Sequence, residues 1–304
     1  MGEVTKDMTM RSIHLAEEEP ERIKGNSISH ILVQAGRLTT QEMQRIVALQ
    51  AKENTLFGEA AVNLGFLTEE DVRWALAIQY SYPCSTVDEV QYAKELLVLH
   101  EPFSARVESF RSIRSALYLS GVGKLFTTLA VLSPCSGEGK TFVAANLAIL
   151  FAQLGSRTLL LDLNFRTPRV HSLFQLKNNC GASSLIIKRA FISDAIQHTS
   201  IGTLDILTSG PKPPNPLELL SWEDTRQLMT SLKEQYEVII IDTPAFTKTA
   251  DSLFIAGLCD ASLIVAGKGQ TKNTAFGQVK KQLDAAGARI LGAVVNEVEG
   301  RREK

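Results

Sequence analysis

Cysteine is scarce in this 304-residue chain, and Cys84, Cys135, Cys180 and Cys259 include no C-x-x-C pair. That argues against a disulfide framework or a thiolate zinc site and for reduced thiols in a cytoplasm. Charge of one sign is missing as well: 32 Lys and Arg face 33 Asp and Glu, for a net charge of −1. Such a balance leaves no electrostatic footprint for nucleic acid as a partner. No apolar run reaches the roughly 18 residues of a membrane-spanning helix. The N-terminus carries Glu3, Lys6 and Asp7 with no apolar core behind them, so it does not read as a secretory signal. Tyrosine is sparse, five in all, and the last is Tyr236. What is present is ordinary globular composition, 44% apolar and 21% charged, at a length that suits two domains of roughly 150 residues.

Residues 1–25 are polar, acid-rich and without periodicity, which predicts a mobile tail. A repeat follows. Residues 27–50 and 56–79 align unit on unit, pairing Gly36 with Gly65, Leu38 with Leu67, Thr39 with Thr68, Glu42 with Asp71 and Gln50 with Gln79. Each unit reads as a short apolar helix, a glycine stop, a Leu-Thr entry and a second helix. Thr39 and Thr68 stand as N-caps with an acid three residues on, the spacing of a capping box. Neither helix pair can bury its apolar face alone, so the two are expected to form one small helical domain over 26–82. A linker over 83–102 and a second domain over 103–304 complete the chain.

The second domain alternates apolar strands with amphipathic helices, the pattern of a mostly parallel α/β sheet with helices on both faces. Strands are predicted at 127–133, 158–163, 204–207, 238–242, 261–266 and 290–295. Helices are predicted at 141–154, 216–235, 250–258 and 274–286. After the first strand comes Ser133-Pro-Cys-Ser-Gly-Glu-Gly-Lys-Thr141, a phosphate loop with proline where the usual first glycine stands. Backbone N–H groups of Gly137, Glu138 and Gly139 can turn toward phosphate oxygens. Lys140 adds positive charge, and Thr141 offers a hydroxyl to Mg²⁺ at a helix start near Phe142. The bland alternative, a Gly/Ser turn between a strand and a helix, weakens once two further strands are seen to end in acid. Val238-Ile-Ile-Ile-Asp242 has the form of a Walker B strand, and Leu159-Leu-Leu-Asp162 ends the same way one βα unit after the loop. Asp162 and Asp242 are therefore candidate ligands of one Mg²⁺, with Asp162 also a candidate base.

These stretches resemble the bacterial tyrosine kinases of capsule and exopolysaccharide synthesis, and more narrowly the cytoplasmic autokinases encoded with exopolysaccharide chain-length determinants. The resemblance rests on Glu108-Ser-Phe-Arg111-Ser-Ile-Arg114, on Ser136-Gly-Glu-Gly-Lys-Thr141 and on Asp162-Leu-Asn-Phe-Arg166-Thr-Pro168. It also rests on Gly210-Pro-Lys-Pro-Pro-Asn215-Pro-Leu-Glu218-Leu-Leu220, Asp242-Thr-Pro244 and Gly292-Ala-Val-Val-Asn296. It implies a P-loop fold and transfer of phosphate from Mg·ATP to protein tyrosine, with Lys140, Asp162 and Asp242 as the catalytic set. Ser136, Gly137, Glu138, Gly139, Lys140, Thr141 and Phe142 would then hold the phosphates, and Asn296 would read the adenine edge. Glu108, Arg111 and Arg114, spaced along one helix face, would contact a neighbouring protomer in a ring. The implied partner is an integral membrane polysaccharide co-polymerase that recruits a cytoplasmic protein to the inner face of the plasma membrane. No nucleic acid is implied.

Two departures from that family stand out. Its second acidic motif reads Asp-x-Asp, whereas this chain has Asp162-Leu163-Asn164; an amide takes no proton and neutralises no Mg²⁺. Members also end in a tyrosine cluster, so acceptor tyrosines are expected inside this chain (Tyr80, Tyr82, Tyr92 or Tyr118) or on another protein. An ATP-binding scaffold of the same fold without kinase activity is the alternative. A partition or division-site ATPase is a third reading, against which Cys135 stands where that family carries its signature lysine. The repeat over 26–82 resembles the N-terminal domain of type II secretion and pilus-assembly ATPases, some of which bind cyclic di-GMP through paired motifs opening Arg-Leu-Gly. Here the openings read Ser27-Ile-Ser29 and Leu56-Phe-Gly58, without arginine. A protein-docking module therefore stands beside cyclic di-GMP binding.

Overall fold

The computed structural model describes residues 27–79, 92–120 and 126–297, so the expected tail, Tyr80, Tyr82 and the first part of the linker, 83–91, lie outside the described residues. The chain divides into two compact units between Ser81 and Tyr82.

The first unit holds four helices: α1 (Ile28–Gln34), α2 (Thr40–Glu53), α3 (Phe57–Asn63) and α4 (Glu69–Gln79). Both capping boxes close. Thr39 N–H donates to Glu42 at 2.8 Å while Glu42 N–H donates back to the Thr39 hydroxyl, and Thr68 and Asp71 repeat the exchange, at 2.9 Å for the first bond. Gly36 and Gly65 end α1 and α3 with φ of 67° and 72°, the left-handed region that spares glycine the Cβ clash. The repeats share one core, with Leu32 and Ile46 from the first and Ala61 and Ala75 from the second fully or almost fully buried. Arg37 of the first repeat pairs with Asp71 of the second at 2.7 Å and stacks over Trp74.

The second unit opens with α5 (Leu97–His100) and α6 (Ala105–Ser120), followed by β1 (Thr128–Leu132), α7 (Lys140–Ala152) and β2 (Thr158–Asp162). Three short helices, α8 (Val170–Leu173), α9 (Ala182–Ile186) and α10 (Ile192–Ala195), precede β3 (Ile196–His198) and β4 (Leu204–Leu207). Then come α11 (Pro216–Ser221), α12 (Glu223–Gln235), β5 (Val238–Asp242), α13 (Asp251–Leu258), β6 (Ala261–Gly267), α14 (Asn273–Ala285) and β7 (Ile290–Asn296). The strands form one sheet in the order β3-β4-β2-β5-β1-β6-β7, parallel throughout except for β3 against β4.

Apolar strand sequences translate directly into two covered faces. Leu129 and Val131 of β1, Leu160 of β2 and Ile240 of β5 point to the side packed by α5, α6 and α7. Their neighbours Ala130, Leu132, Leu159, Leu161, Ile239 and Ile241 point to the side packed by α11 to α14. This period-two alternation, with both faces apolar, is why the strands read as continuous hydrophobic runs. Strands β1, β2 and β5 run the same way, so the loop after β1 and the acids ending β2 and β5 gather at one sheet edge.

Three expectations need correction. The helix expected over 216–235 is two helices, because Trp222 takes an extended conformation (ψ 148°) and breaks it. The short strand β3 gave no sequence signal. The segment expected to be a linker is, at its end, core: Leu96, Leu97, Val98 and Leu99 are 0–5% exposed beneath α7, so the α/β unit begins before residue 103.

Candidate nucleotide and phosphoryl-transfer site

The phosphate loop spans β1 and α7, and two glycines set its path. Gly137 and Gly139 have φ of 85° and 92°, where a side chain is strained. Gly139 also has no room: a Cβ there would come within 2.1 Å of the Asn296 amide nitrogen. Asn296, at the end of β7, donates that amide to the Glu138 carbonyl at 3.1 Å. It thus lies against the loop, with its amide engaged by backbone. Pro134, at the missing first glycine, accepts bonds from both the N–H (3.0 Å) and hydroxyl (2.7 Å) of Thr247. That segment after β5 zips onto the loop and takes over part of the shaping that glycine would otherwise allow.

Glu138 joins the loop by its side chain as well as its backbone, a role the motif did not reveal. Only 1% exposed, its carboxylate accepts the Cys135 N–H and the Thr271 hydroxyl. The loop is therefore braced from below against the segment after β6. Lys140 and Thr141 open α7, with Lys140 only 7% exposed. Ser136 and Phe142 flank them, and Cys135 is exposed.

The two acids meet. Asp162 and Asp242 are direct register partners on the adjacent parallel strands β2 and β5, and both are fully buried. Asp242 accepts the Thr141 hydroxyl at 2.7 Å through one oxygen, and its other oxygen, also buried, has no partner. Asp162 accepts backbone N–H groups of Asn164 at 2.9 Å and Val170 at 3.3 Å. Burial, and next the charge of Asp242, hold the Asp162 carboxyl well above the usual carboxylate range. Burial pushes Asp242 up to about 6, against the pull of the Lys140 charge and the Thr141 hydrogen bond. Two like groups side by side without water are unfavourable alone. An unpaired buried oxygen on Asp242, with the Thr141 hydroxyl on its other oxygen and the Lys140 charge acting on the group, fits a divalent cation carrying phosphate oxygens. Asp162 and Asp242 are thus side by side, and the Lys140 charge acts on Asp242.

Asn164 is occupied otherwise. It is 4% exposed, donates to the Thr167 carbonyl at 3.0 Å and accepts the Thr167 N–H at 3.1 Å. It makes a turn and presents no free group to the site. Two residues on, Arg166 grips the buried Asp251 of α13 through two bonds of 2.6 and 3.0 Å, fixing the loop after β2 to the segment after β5. Sequence reasoning missed Asp251, which looks like any acid in a first helical turn.

The three residues expected at a protomer contact lie on α6, and all three are engaged within the chain. Arg111 pairs with Glu108 at 3.0 Å and donates to the Pro102 carbonyl at 2.6 Å. Arg114 donates to the Leu150 carbonyl in the last turn of α7 at 3.0 Å. Glu108 is the exposed member, at 68%. Among possible acceptors, Tyr236 is buried and hydrogen-bonded to Asp205, while Tyr92 and Tyr118 are half-buried.

Comparison with known proteins agrees with this geometry. The CobQ/CobB/MinD/ParA nucleotide binding domain family matches residues 129–304. Tyrosine-protein kinase YwqD of Bacillus subtilis is 36% identical over 203 residues, which cover 67% of this chain and 86% of that protein. The chimerical protein CapA2B2 superposes with a TM-score of 0.65 at 34% identity over 75% of this chain and 98% of its own. The kinase domain of the Escherichia coli tyrosine kinase ETK gives 0.66 at 28% identity, over 74% and 88%. On these likenesses the chain belongs to the bacterial tyrosine-kinase family.

Proposed function

We propose that this chain is an ATP-dependent protein tyrosine kinase that regulates exopolysaccharide or capsule assembly and chain length. The observation that carries the chemistry is the register pair Asp162–Asp242 with the Thr141 hydroxyl on Asp242 at 2.7 Å. Thr141 and Asp242 would hold Mg²⁺, with Asp162 close by, and the bound ion would neutralise charge on the β- and γ-phosphates. The N–H groups of Gly137 to Gly139 and the Lys140 ammonium would orient the triphosphate. Asp162, raised in proton affinity by its burial, would accept the proton of the incoming tyrosine hydroxyl. Asn296 would lie beside the base. Kinship with tyrosine kinases supports the reaction type, and the Gly210–Leu220 segment supports the polysaccharide setting. Among the described residues no helix is long and apolar enough to cross a membrane. An integral membrane co-polymerase with a cytoplasmic tail is the partner we infer, recruiting the protein to the membrane's inner face. Glu108 is the member of its trio best exposed for a neighbouring copy in a ring. Cyclic di-GMP is a further ligand to screen on the helical repeat unit.

The test is incubation with labelled ATP and Mg²⁺, alone and with the partner's tail, followed by phosphotyrosine detection. Signal in the wild type that disappears in Lys140→Ala and Asp242→Asn supports the reading. Normal nucleotide binding without phosphotyrosine in any combination would favour the scaffold reading, which Asn164 motivates.

A further inference from the structure

We propose that Asn146 is a positioning residue for nucleotide binding: it ties residues 95–98 across the phosphate helix, and the docked segment keeps Lys140 and Thr141 in place. This rests on the nucleotide reading of that same site and adds the element that supports it from behind.

Asn146 is fully buried in α7, among Val143, Leu147 and Leu150. Asparagine is a poor helix-interior residue, and a buried amide is costly unless its donors and acceptor are paired. Here they are. Its Nδ2 donates to the Glu95 carbonyl and to the Phe142 carbonyl, both at 2.9 Å, and its Oδ1 accepts the Val98 N–H at 3.1 Å. Two of these partners belong to a segment outside the helix. The third is the residue immediately after Thr141. One side chain thus stitches residues 95–98 to the first turn of the helix that carries the phosphate-binding lysine and threonine.

The same segment reaches the other half of the site. Ala93 N–H donates to the Leu173 carbonyl at 3.0 Å, and Glu95 pairs with Arg169 at 3.3 Å. Arg169 immediately precedes Val170, whose N–H holds Asp162. Farther along, Arg111 fastens the Pro102 carbonyl at 2.6 Å. Residues 92–102 therefore form a strap that touches both the helix of Lys140 and the loop around Asp162. An apolar residue at 146 would fill the space equally well, but it would leave the strap without register. That is a reason for an amide in this place which packing alone does not supply.

The experiment compares full-length wild type, Asn146→Ala and Val98→Pro. The proline removes the N–H that reaches Asn146 in the first turn of α5 and also replaces a fully buried valine side chain, so its affinity is judged against a control of comparable melting temperature, and it keeps the test open should the alanine variant not fold. Leu232→Ala, in α12 on the opposite face of the sheet, serves as a control with lowered melting temperature. Affinity for a fluorescent ADP analogue is read beside the KM for ATP, kcat and melting temperature. The expectation is a loss of nucleotide affinity of about ten- to a hundredfold in both strap variants, with KM rising more than kcat falls, while Leu232→Ala retains affinity. Equal affinity in wild type and strap variants, with only melting temperatures lowered, would overturn the positioning role and leave the kinase reading standing. A wild type that binds no nucleotide would overturn that reading, and this inference with it.

Discussion

The two ends of the sheet treat the same side chain in opposite ways. At the end where strands begin, Asp260 accepts the N–H groups of Thr127 (3.0 Å) and Thr128 (2.9 Å) and pairs with Lys233 at 2.7 Å. Its carboxyl is lowered despite partial burial, because Lys233 and Thr128 outweigh the desolvation. At the same end, four strands across the sheet, Asp205 accepts the Tyr236 hydroxyl at 2.8 Å and meets His198 at 2.6 Å. At the end where strands finish, Asp162 and Asp242 face each other, both are raised, and one oxygen is orphaned. The first arrangement is stable as it stands. The second is completed only by something that the chain does not itself supply. An acid satisfied by its own chain stabilises the fold, whereas one left wanting marks the place where a ligand belongs.

The sharpest way to break this contrast is to neutralise one acid at each end. Asp242→Asn should lower tyrosine phosphorylation by about 10²–10⁴-fold. It should also leave the nucleotide-free melting temperature unchanged or higher, since a desolvated charge beside a like group is removed. Asp260→Ala should do the reverse. Two N–H groups and an ammonium lose their acceptor, for a loss of about 1–3 kcal/mol in urea unfolding, with ADP affinity unaltered. Loss of stability in the first variant, or of affinity in the second, would erase the distinction.

Acidity sharpens it further. Asp242 titrates near 6 in the folded chain against an ordinary 3.8, so the fold holds a proton that the unfolded chain has given up. Its contribution is intact below about pH 4 and is lost as pH rises through 6, by roughly 3 kcal/mol at most. Asp260, lowered in the fold, contributes stability that is present above its ordinary 3.8 and is lost as pH falls through its folded value. Urea unfolding of nucleotide-free protein between pH 4.5 and 7.5 should show wild type losing stability relative to Asp242→Asn as pH rises. A parallel pair of curves would count against a raised Asp242.

Much of this was legible before any coordinates. The apolar strands, the glycine-dependent loop and the acids at strand ends are local patterns whose spacing the backbone enforces, and the Thr39 and Thr68 boxes are likewise read within four residues. What escaped were features decided by distant partners or by too few residues. The three residues of β3 are too short for a period to declare itself, and Trp222 breaks a helix without glycine or proline to announce it. The Glu138 carboxylate, Asp251 and Asn146 owe their roles to Thr271, Arg166 and Val98, each far off in sequence. Their spacing along the chain carries no trace of the contact.

The smallest effect tests the residue that most separates this chain from the family pattern it resembles. Restoring an acid by Asn164→Asp looks from sequence like the repair of a damaged motif, and on that view activity should climb. The side chain, however, spends both ends of its amide on Thr167. Aspartate keeps the acceptor, loses the donor to the Thr167 carbonyl and adds a buried carboxylate two residues from Asp162. We expect a loss of about 1 kcal/mol in stability and no gain in phosphotyrosine formation, because the group would still face the turn. A clear rise in kcat, measured beside wild type at saturating Mg·ATP, would mean that the turn yields to the charge and that Asp162 had been working without its partner.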